Sequence, residues 1–387
     1  MMQTMAAGSS SEPSWMTDEL RGFRRTVRAL IETRFVPHVD RWRANKRPDR
    51  AAWAAAGQAG LLLASVPETF GGGGGTAAHD AVVIEELARA GIQFGVGPQN
   101  YVAWYILKYG SDEQKRRWLP RMARGELVGA IALTEPGAGS DVAAIQTTAQ
   151  RHTHDYIVNG TKKLINNGAL ADLVCLLVKT APDRPAAIGM SLLVAETHDL
   201  PGYCASQPFD KIGMHEQDTC ELFFDEVRVP AANLLGTEGQ GFTQIVEQLP
   251  YERLMIAVSA IATAERALAL TTRHARERRA FGGPLMDLQH TRFTLADCAT
   301  HARVGRVFLD DCVRRFLGGT LDGATAAMAK SWLTDCEWRV LDACLQLHGG
   351  LGYVLDSPIA RMWVNARAPR IYGGANEVLK ELIASSL

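Results

Sequence analysis

Apolar residues recur at helical spacing through the first third of the chain. Residues 21–34 read as a basic amphipathic helix, 49–62 as an Ala-rich one, and 77–90 keep a helical period. Between the last two, Pro67-Glu68-Thr69-Phe70 runs into five consecutive glycines at 71–75. A phosphate-cradling loop would follow a strand and end in Lys-Ser or Lys-Thr before a helix. Neither is present, and the run reads as a flexible turn. From about residue 130 the texture changes to short apolar or alternating runs at 131–133, 155–158, 174–178, 190–194 and 219–224, separated by Asn159-Gly160, Asn167-Gly168 and Pro201-Gly202. This pattern predicts an antiparallel β domain, too irregular for βαβ repeats. Long helical blocks return near 251–279, 288–317, 323–347 and 358–385, with Gly318-Gly319 and Gly349-Gly350 between them. The fold class is therefore mostly α with a central antiparallel β domain. A disordered tail (1–14) leads into an N-terminal helical domain (15–129), the β domain (130–235) and a C-terminal helical bundle (236–387).

Charge narrows the partners. Lysine plus arginine total 41 against 42 acidic residues, a net charge of −1, which gives no electrostatic case for nucleic acid or an anionic membrane. No uninterrupted apolar run approaches the ~20 residues that span a bilayer, and the first residues lack the basic-then-apolar order of a secretory signal. Seven cysteines without a Cys-x-x-Cys suit reduced thiols better than a disulfide framework or a zinc site, so a cytoplasmic protein with no metal is expected.

Two stretches carry the candidate chemistry. In Thr134-Glu135-Pro136-Gly137-Ala138-Gly139-Ser140-Asp141, small residues let backbone N–H groups approach a ligand and two hydroxyls stand ready. It precedes strands instead of opening a helix, so it is not a dinucleotide fingerprint. In Leu249-Pro250-Tyr251-Glu252-Arg253-Leu254, a Glu just after a Pro at the start of an apolar-periodic segment is first a helix N-terminus signal.

Together with Tyr109-Gly110-Ser111-Asp112-Glu113-Gln114-Lys115, Asp210-Lys211-Ile212-Gly213-Met214, Asp225-Glu226-Val227-Arg228-Val229-Pro230, Leu235-Gly236-Thr237-Glu238-Gly239-Gln240-Gly241-Phe242 and Gln346-Leu347-His348-Gly349-Gly350-Leu351-Gly352-Tyr353, these motifs resemble the acyl-CoA dehydrogenase family over almost the whole chain. Residues 249–256 and 371–384 look most like its long-chain branch. The resemblance implies FAD and the α,β-dehydrogenation of a saturated acyl-CoA to the trans-2-enoyl-CoA. A carboxylate takes the α proton while the β hydrogen leaves as hydride to flavin N5. In many relatives that carboxylate sits in a C-terminal loop, between the positions of Tyr372 and Gly374. Here the position is Gly373. In long-chain and isovaleryl-type relatives the base lies on a helix just before an Arg, which maps to Glu252. A helix N-terminus and Arg253 would lower its pKa while burial would raise it. A Glu placed at 373 would approach the α carbon from the other side.

By the same resemblance Ser140, Tyr251, Arg253, Gly373 and Gly374 bind the thioester, with the Gly373 N–H on its oxygen. Leu133, Thr134, Gly139 and Ser140 line the flavin ring. Leu164, Ile165 and Asn166 lie beside it, Leu164 and Asn166 standing where relatives carry an aromatic and a hydroxyl residue. Ala375 replaces a cofactor-contacting Thr next to Asn376. Arg278, Phe281 and Gln289, and separately Gln346, Gly349 and Gly350, reach the FAD of a neighbouring subunit, which implies a homotetramer. An electron-transfer flavoprotein is the implied electron acceptor. Segment 96–108 lines the acyl tail, and its Tyr101, Trp104 and Tyr105 are either ordinary core or the pocket bottom. Three alternatives stay open: a carrier-protein thioester as substrate, a flavin oxidase or monooxygenase, and a non-catalytic relative, the last disfavoured by the presence of Glu252.

Overall fold

The computed structural model describes residues 13–387. Helices α1 (Asp18–Leu30), α2 (Val39–Asn45), α3 (Arg50–Gln58), α4 (Ala77–Ala90), α5 (Val96–Tyr109) and α6 (Asp112–Ala123) come first. The sheet region holds β1 (Gly129–Ala132), β2 (Thr148–His152), β3 (Asp155–Asn166), β4 (Leu173–Lys179), the one-turn α7 (Ala186–Gly189), β5 (Met190–Glu196), β6 (Tyr203–Ala205) and β7 (Thr219–Pro230). Then come α8 (Gly241–Glu277), the hairpin β8 (Arg279–Ala280) and β9 (Gly283–Pro284), α9 (Gln289–Leu317), α10 (Gly323–His348), α11 (Pro358–Asn365) and α12 (Asn376–Ala384). Of the tail expected at 1–14, residues 1–12 lie outside the described residues. Pro13 opens a turn whose carbonyl accepts from Met16 N at 2.9 Å.

The strands run β1-β4-β2-β3-β7-β6, with β5 also on β4. Pairing is mostly antiparallel, as expected, with one correction: β1 and β4 are parallel, and β2 meets β4 through the parallel pair Thr148 and Lys179. The chain reaches β4 from β1 only after the β2–β3 hairpin, a connection long enough for the parallel sense. Strands β2 and β6 were not foreseen, being short and largely polar or exposed. Strands β4 and β5 are apolar and buried on both faces. Leu173, Cys175 and Leu177 face the helical core, and Val174, Leu176 and Val178 the core of the sheet, as the two-residue alternation demands.

Three further expectations change. The glycines at 71–75 form a hydrogen-bonded fold-back: Gly73 N donates to Leu63 O at 3.1 Å, Gly74 N to Val66 O at 2.9 Å and Gly75 N to Ala64 O at 3.0 Å. A Cβ on Gly72 would stand 2.2 Å from Val66 O, so close backbone approach explains the glycine. The block at 358–385 is broken between α11 and α12, where Pro369 and Gly373-Gly374 interrupt the helix. Finally, α8 starts at Gly241, with Pro250 inside it, so Glu252 is well past the N-terminus. Pro250 has no N–H for the Val246 carbonyl, yet the helix continues, held by the buried face of Gln244, Ile245, Gln248 and Tyr251. By length and composition α8 is also apolar enough to cross a bilayer, which a search for uninterrupted runs overlooks. About 67% of its most apolar stretch is buried, and α4, α5, α9 and α10 pack around it.

Charge pairs tie these helices together. Arg306 of α9 is buried between Glu85 of α4 and Glu265 of α8, its Nε 2.8 Å from Glu265 Oε1. Arg24 and Arg28 of α1 reach Glu85 and Glu86, each at 2.8 Å. Removing one member of a buried pair leaves the other charge uncompensated. Arg306→Met is therefore expected to cost about 3 kcal/mol or more on urea titration. A loss within the scatter of surface variants would show that the network does not hold the bundle.

Candidate active site

A cavity of about 510 Å³ opens where α4, α5 and α8 meet the ends of β1 and β3 and the break before α12. Leu133, Thr134, Gly139, Ser140, Leu164, Ile165, Asn166, Glu252, Arg253, Gly373 and Gly374 all line it. Its volume is ordinary for a small-molecule site. Ile84, Leu87, Ile92, Phe94 and Pro98 give its inner part an apolar wall.

The loop after β1 is shaped from within. Glu135 is buried; its Oε1 accepts from Lys162 Nζ at 2.8 Å and from Thr147 N at 3.0 Å, and its Oε2 from Gln146 N at 2.5 Å. Burial, partly offset by Glu135, lowers Lys162 to about 8. Glu135 N also donates to Ala138 O at 2.9 Å, closing the turn. Gly137 and Gly139 are left with open space: a Cβ on either would meet nothing within 4 Å. Nothing inside the chain demands glycine there, whereas a flat ring approaching the backbone would.

A register shift between Lys162 and Ile165 in the β3–β7 pairing puts a bulge at the end of β3. Leu164 occupies it at φ 61°, with 58% of its surface exposed. A bulky residue held in the left-handed region and re-aimed by a bulge marks a site where exposure matters more than local strain. Asn166 accepts from Thr219 Oγ1 at 2.7 Å through Oδ1, so its NH2 is the group it can offer a ligand. These open glycines, the exposed leucine and the amide fit the FAD that the resemblance implies.

Glu252 is 7% exposed. Its Oε1 accepts from Tyr105 OH at 3.1 Å. Burial raises its pKa from 4.5 to about 7, and the Tyr105 hydrogen bond and the Arg253 charge offset only part of this. Because α8 begins eleven residues earlier, the helix-end contribution expected from sequence is absent.

Across the cavity, Gly373 and Gly374 lie at φ 67° and 89°. Arg253 Nε donates to Gly373 O at 3.4 Å, and Lys330 Nζ to Gly374 O at 2.7 Å. Burial, with the nearby Arg253 charge, lowers Lys330 to about 7. A Cβ on Gly373 would stand 2.5 Å from Ile256 Cδ1. A carboxylate restored at 373 would thus need both a strained backbone and a displaced Ile256.

Several expected residues are not brought to the cavity. Tyr251 is corrected from thioester contact to core: it is 2% exposed, stacks on Trp104 and donates to Asp80 Oδ2 at 2.7 Å. Asn376 is corrected from cofactor contact to internal anchor. Its Oδ1 accepts from Lys330 at 2.9 Å, and its Nδ2 donates to Ser331 O at 3.2 Å and Asp335 Oδ1 at 3.0 Å. Ala375 does not line the cavity either; it stands at the N-cap of α12 without a capping side chain. Of the aromatic trio, Tyr101 lines the cavity and Trp104 is core, donating to Ser65 Oγ at 3.1 Å. Tyr105 serves Glu252. Arg278, Phe281, Gln289, Gln346, Gly349 and Gly350 are all exposed and away from this chain's own cavity. Phe281 is 94% exposed at the tip of the β8–β9 hairpin, at φ 52°.

Sequence reasoning missed the carboxyl–hydroxyl contact of Tyr105 and the roles of Lys162 and Lys330. Lys330 left a signal, as a lone charge at a core-periodic position among Ala326, Ala327, Ala329 and Leu333. Lys162, next to Lys163, left none.

Matches to the acyl-CoA dehydrogenase N-terminal, middle and C-terminal domains cover residues 17–126, 130–227 and 239–387. The chain is 40% identical over 371 residues to the mitochondrial long-chain specific acyl-CoA dehydrogenase of Sus scrofa, covering 94% of this chain and 85% of that protein. It is 35% identical to an acyl-CoA dehydrogenase of Bacillus subtilis, covering 86% of this chain and 88% of that protein. The crystal structure of an acyl-CoA dehydrogenase from Geobacillus kaustophilus superimposes with a TM-score of 0.94 at 40% identity, covering 97% of this chain and 99% of that one. The chain belongs to the acyl-CoA dehydrogenase family of FAD-dependent oxidoreductases, which dehydrogenate acyl-CoA.

Proposed function

We propose that Glu252 is the base that removes the α proton of a saturated acyl-CoA, giving the trans-2-enoyl-CoA. The observation that carries this is a buried carboxyl in the cavity, pushed to about 7, facing a loop that has glycine where a carboxylate could have stood. A base with a pKa near the working pH is ionised often enough to act and still basic enough to take a proton. Tyr105 holds Oε1, which leaves Oε2 as the oxygen free of that bond to receive the proton. Arg253 and Lys330 hold the carbonyls of Gly373 and Gly374, so the loop is fixed with its Gly373 N–H available for the thioester oxygen. The apolar wall from α4 and α5 keeps water from the acyl chain, and Tyr101 narrows it. FAD, when bound, supplies the hydride acceptor; Leu133, Thr134, Gly139, Ser140, Leu164, Ile165 and Asn166 would hold its ring.

We further assign Arg278, Phe281, Gln289, Gln346, Gly349 and Gly350 to the FAD of a neighbouring copy in a cytoplasmic homotetramer, with an electron-transfer flavoprotein as acceptor. What supports it is that these six are exposed and away from this chain's cavity, and that a Cβ on Gly350 would meet nothing within 4 Å.

Three outcomes are expected. Glu252→Gln keeps its FAD but lowers the rate of anaerobic flavin bleaching by long-chain acyl-CoA about 10²–10⁴-fold; near-normal bleaching would sink the assignment. In the wild type, kcat/KM rises with pH as Glu252 ionises, with its midpoint near 7. A profile flat from pH 5.5 to 8.5 contradicts a base of this kind. Phe281→Ser loses FAD on dialysis while its helical content is unchanged; full retention of flavin would remove the hairpin from any cofactor site.

A further inference from the structure

The inner end of the cavity adjoins a buried group that neither the mechanism nor the packing uses. Ser259 stands two turns beyond Glu252 on α8, about 10 Å along the axis. With Gln93 and Tyr372 it lines both the main cavity and a second chamber of about 20 Å³. Thr263, Asn365 and Glu337 face the same chamber. These polar side chains share with Met214, Met362 and Pro369 the lining of a space that admits one water-sized group.

Glu337 comes from α10, is 4% exposed, and its Oε2 meets no hydrogen-bonding group of the chain. Burial raises its carboxyl well above 4.5, the Thr263 hydroxyl offsetting only part, which favours the protonated form, able to give and to accept a hydrogen bond. It lies near enough to Tyr372 to raise the phenol further, after burial. Leaving such an oxygen unpaired is unfavourable, and an apolar side chain at this core position would avoid it.

We propose that this chamber is a subsite for the distal end of the acyl chain, where Glu337 with Ser259 and Tyr372 selects acyl groups carrying a hydroxyl. The proposal rests on the reading of the main cavity as an acyl-thioester site. Leu87, Ile92, Phe94 and Ile256 give an alkyl chain apolar surface in the main cavity, with which the chamber shares Gln93, Ser259 and Tyr372. The chamber's size excludes anything larger than a hydroxyl at the end of that chain. No Lys, Arg or His lines the chamber, so it offers no cation to pair with an ionised acid.

The test is equilibrium binding to the FAD-loaded full-length protein, by calorimetry, of paired trans-2-enoyl-CoA products with and without a terminal hydroxyl, across chain lengths. These products are already oxidised, so the readout does not depend on which residue is the base. At the length that reaches the chamber, the hydroxylated product is expected to bind about tenfold more tightly, as for one net hydrogen bond. Glu337→Gln, which keeps a donor and an acceptor, retains the preference, and Glu337→Leu abolishes it. Equal affinity at every length, or a preference that survives Glu337→Leu, overturns the subsite alone. Failure of either product to bind at any length overturns both this proposal and the acyl-thioester reading.

Discussion

One buried carboxyl sets the terms for this structure. Keeping Glu252 ionised in its cavity is disfavoured by about 3 kcal/mol relative to water, from a shift of 4.5 to about 7. The sign follows from the raised value: the neutral acid suits the folded state, and that contribution to stability is lost as pH rises from 4.5 to about 7. The bundle therefore carries a destabilising group at neutral pH and must be held by other means. Helix α8 stays continuous through Pro250 because its neighbours pack along its buried face, and Arg306 ties two of them to it through Glu85 and Glu265. The same packing excludes the water that would return Glu252 to an ordinary pKa.

The loop opposite shows the converse arrangement. Glycine at 373 leaves no side chain between loop and helix, and Ile256 takes the space a Cβ would have needed. Two cations, Arg253 and Lys330, then grip the carbonyls of Gly373 and Gly374, and Asn376 anchors Lys330 from behind. The loop has no titratable side chain at 373 and a backbone held at both carbonyls. Lys330 is thereby placed among buried groups that lower its own pKa to about 7, which makes the grip weaker in alkaline solution than in neutral.

Much of this was legible in the sequence, and the limits have physical causes. The helical period at 77–90 coincides with α4, and the glycine pairs do fall between α9, α10 and α11. The motif after β1 and the residues at 252, 253 and 373 converge on one cavity as their spacing in the family pattern implied. Errors arose where a local signal was outweighed by tertiary packing. Pro250 looks like a helix start, yet a helix packed along one face by its neighbours tolerates the lost hydrogen bond. Tyr251 and Asn376 sit next to site residues in sequence, but adjacent positions on a helix point in different directions, and both side chains turn into the core. Tyr105 and Glu252 are 147 residues apart, and no periodicity in one segment can announce such a pairing.

Glycines separate what the chain needs for itself from what it keeps for a ligand. At Gly57, Gly72 and Gly125 a Cβ would run into backbone atoms within 2.4 Å, so folding alone explains them. At Gly137, Gly139 and Gly350 a Cβ would meet nothing within 4 Å, whereas Gly349, equally open, needs glycine for its own φ of 58°. Openness alone is not enough, since Gly323 is as open and merely begins α10. The difference is position. Gly139 lines the cavity on a loop that the Glu135–Lys162 pair holds, whereas Gly350 lies exposed just past the end of α10. An open glycine beside a cavity leaves room for a ligand to approach the backbone. For Gly139 the cavity of the same subunit is at hand, while at Gly350 no atom of the chain's own stands where a Cβ would be.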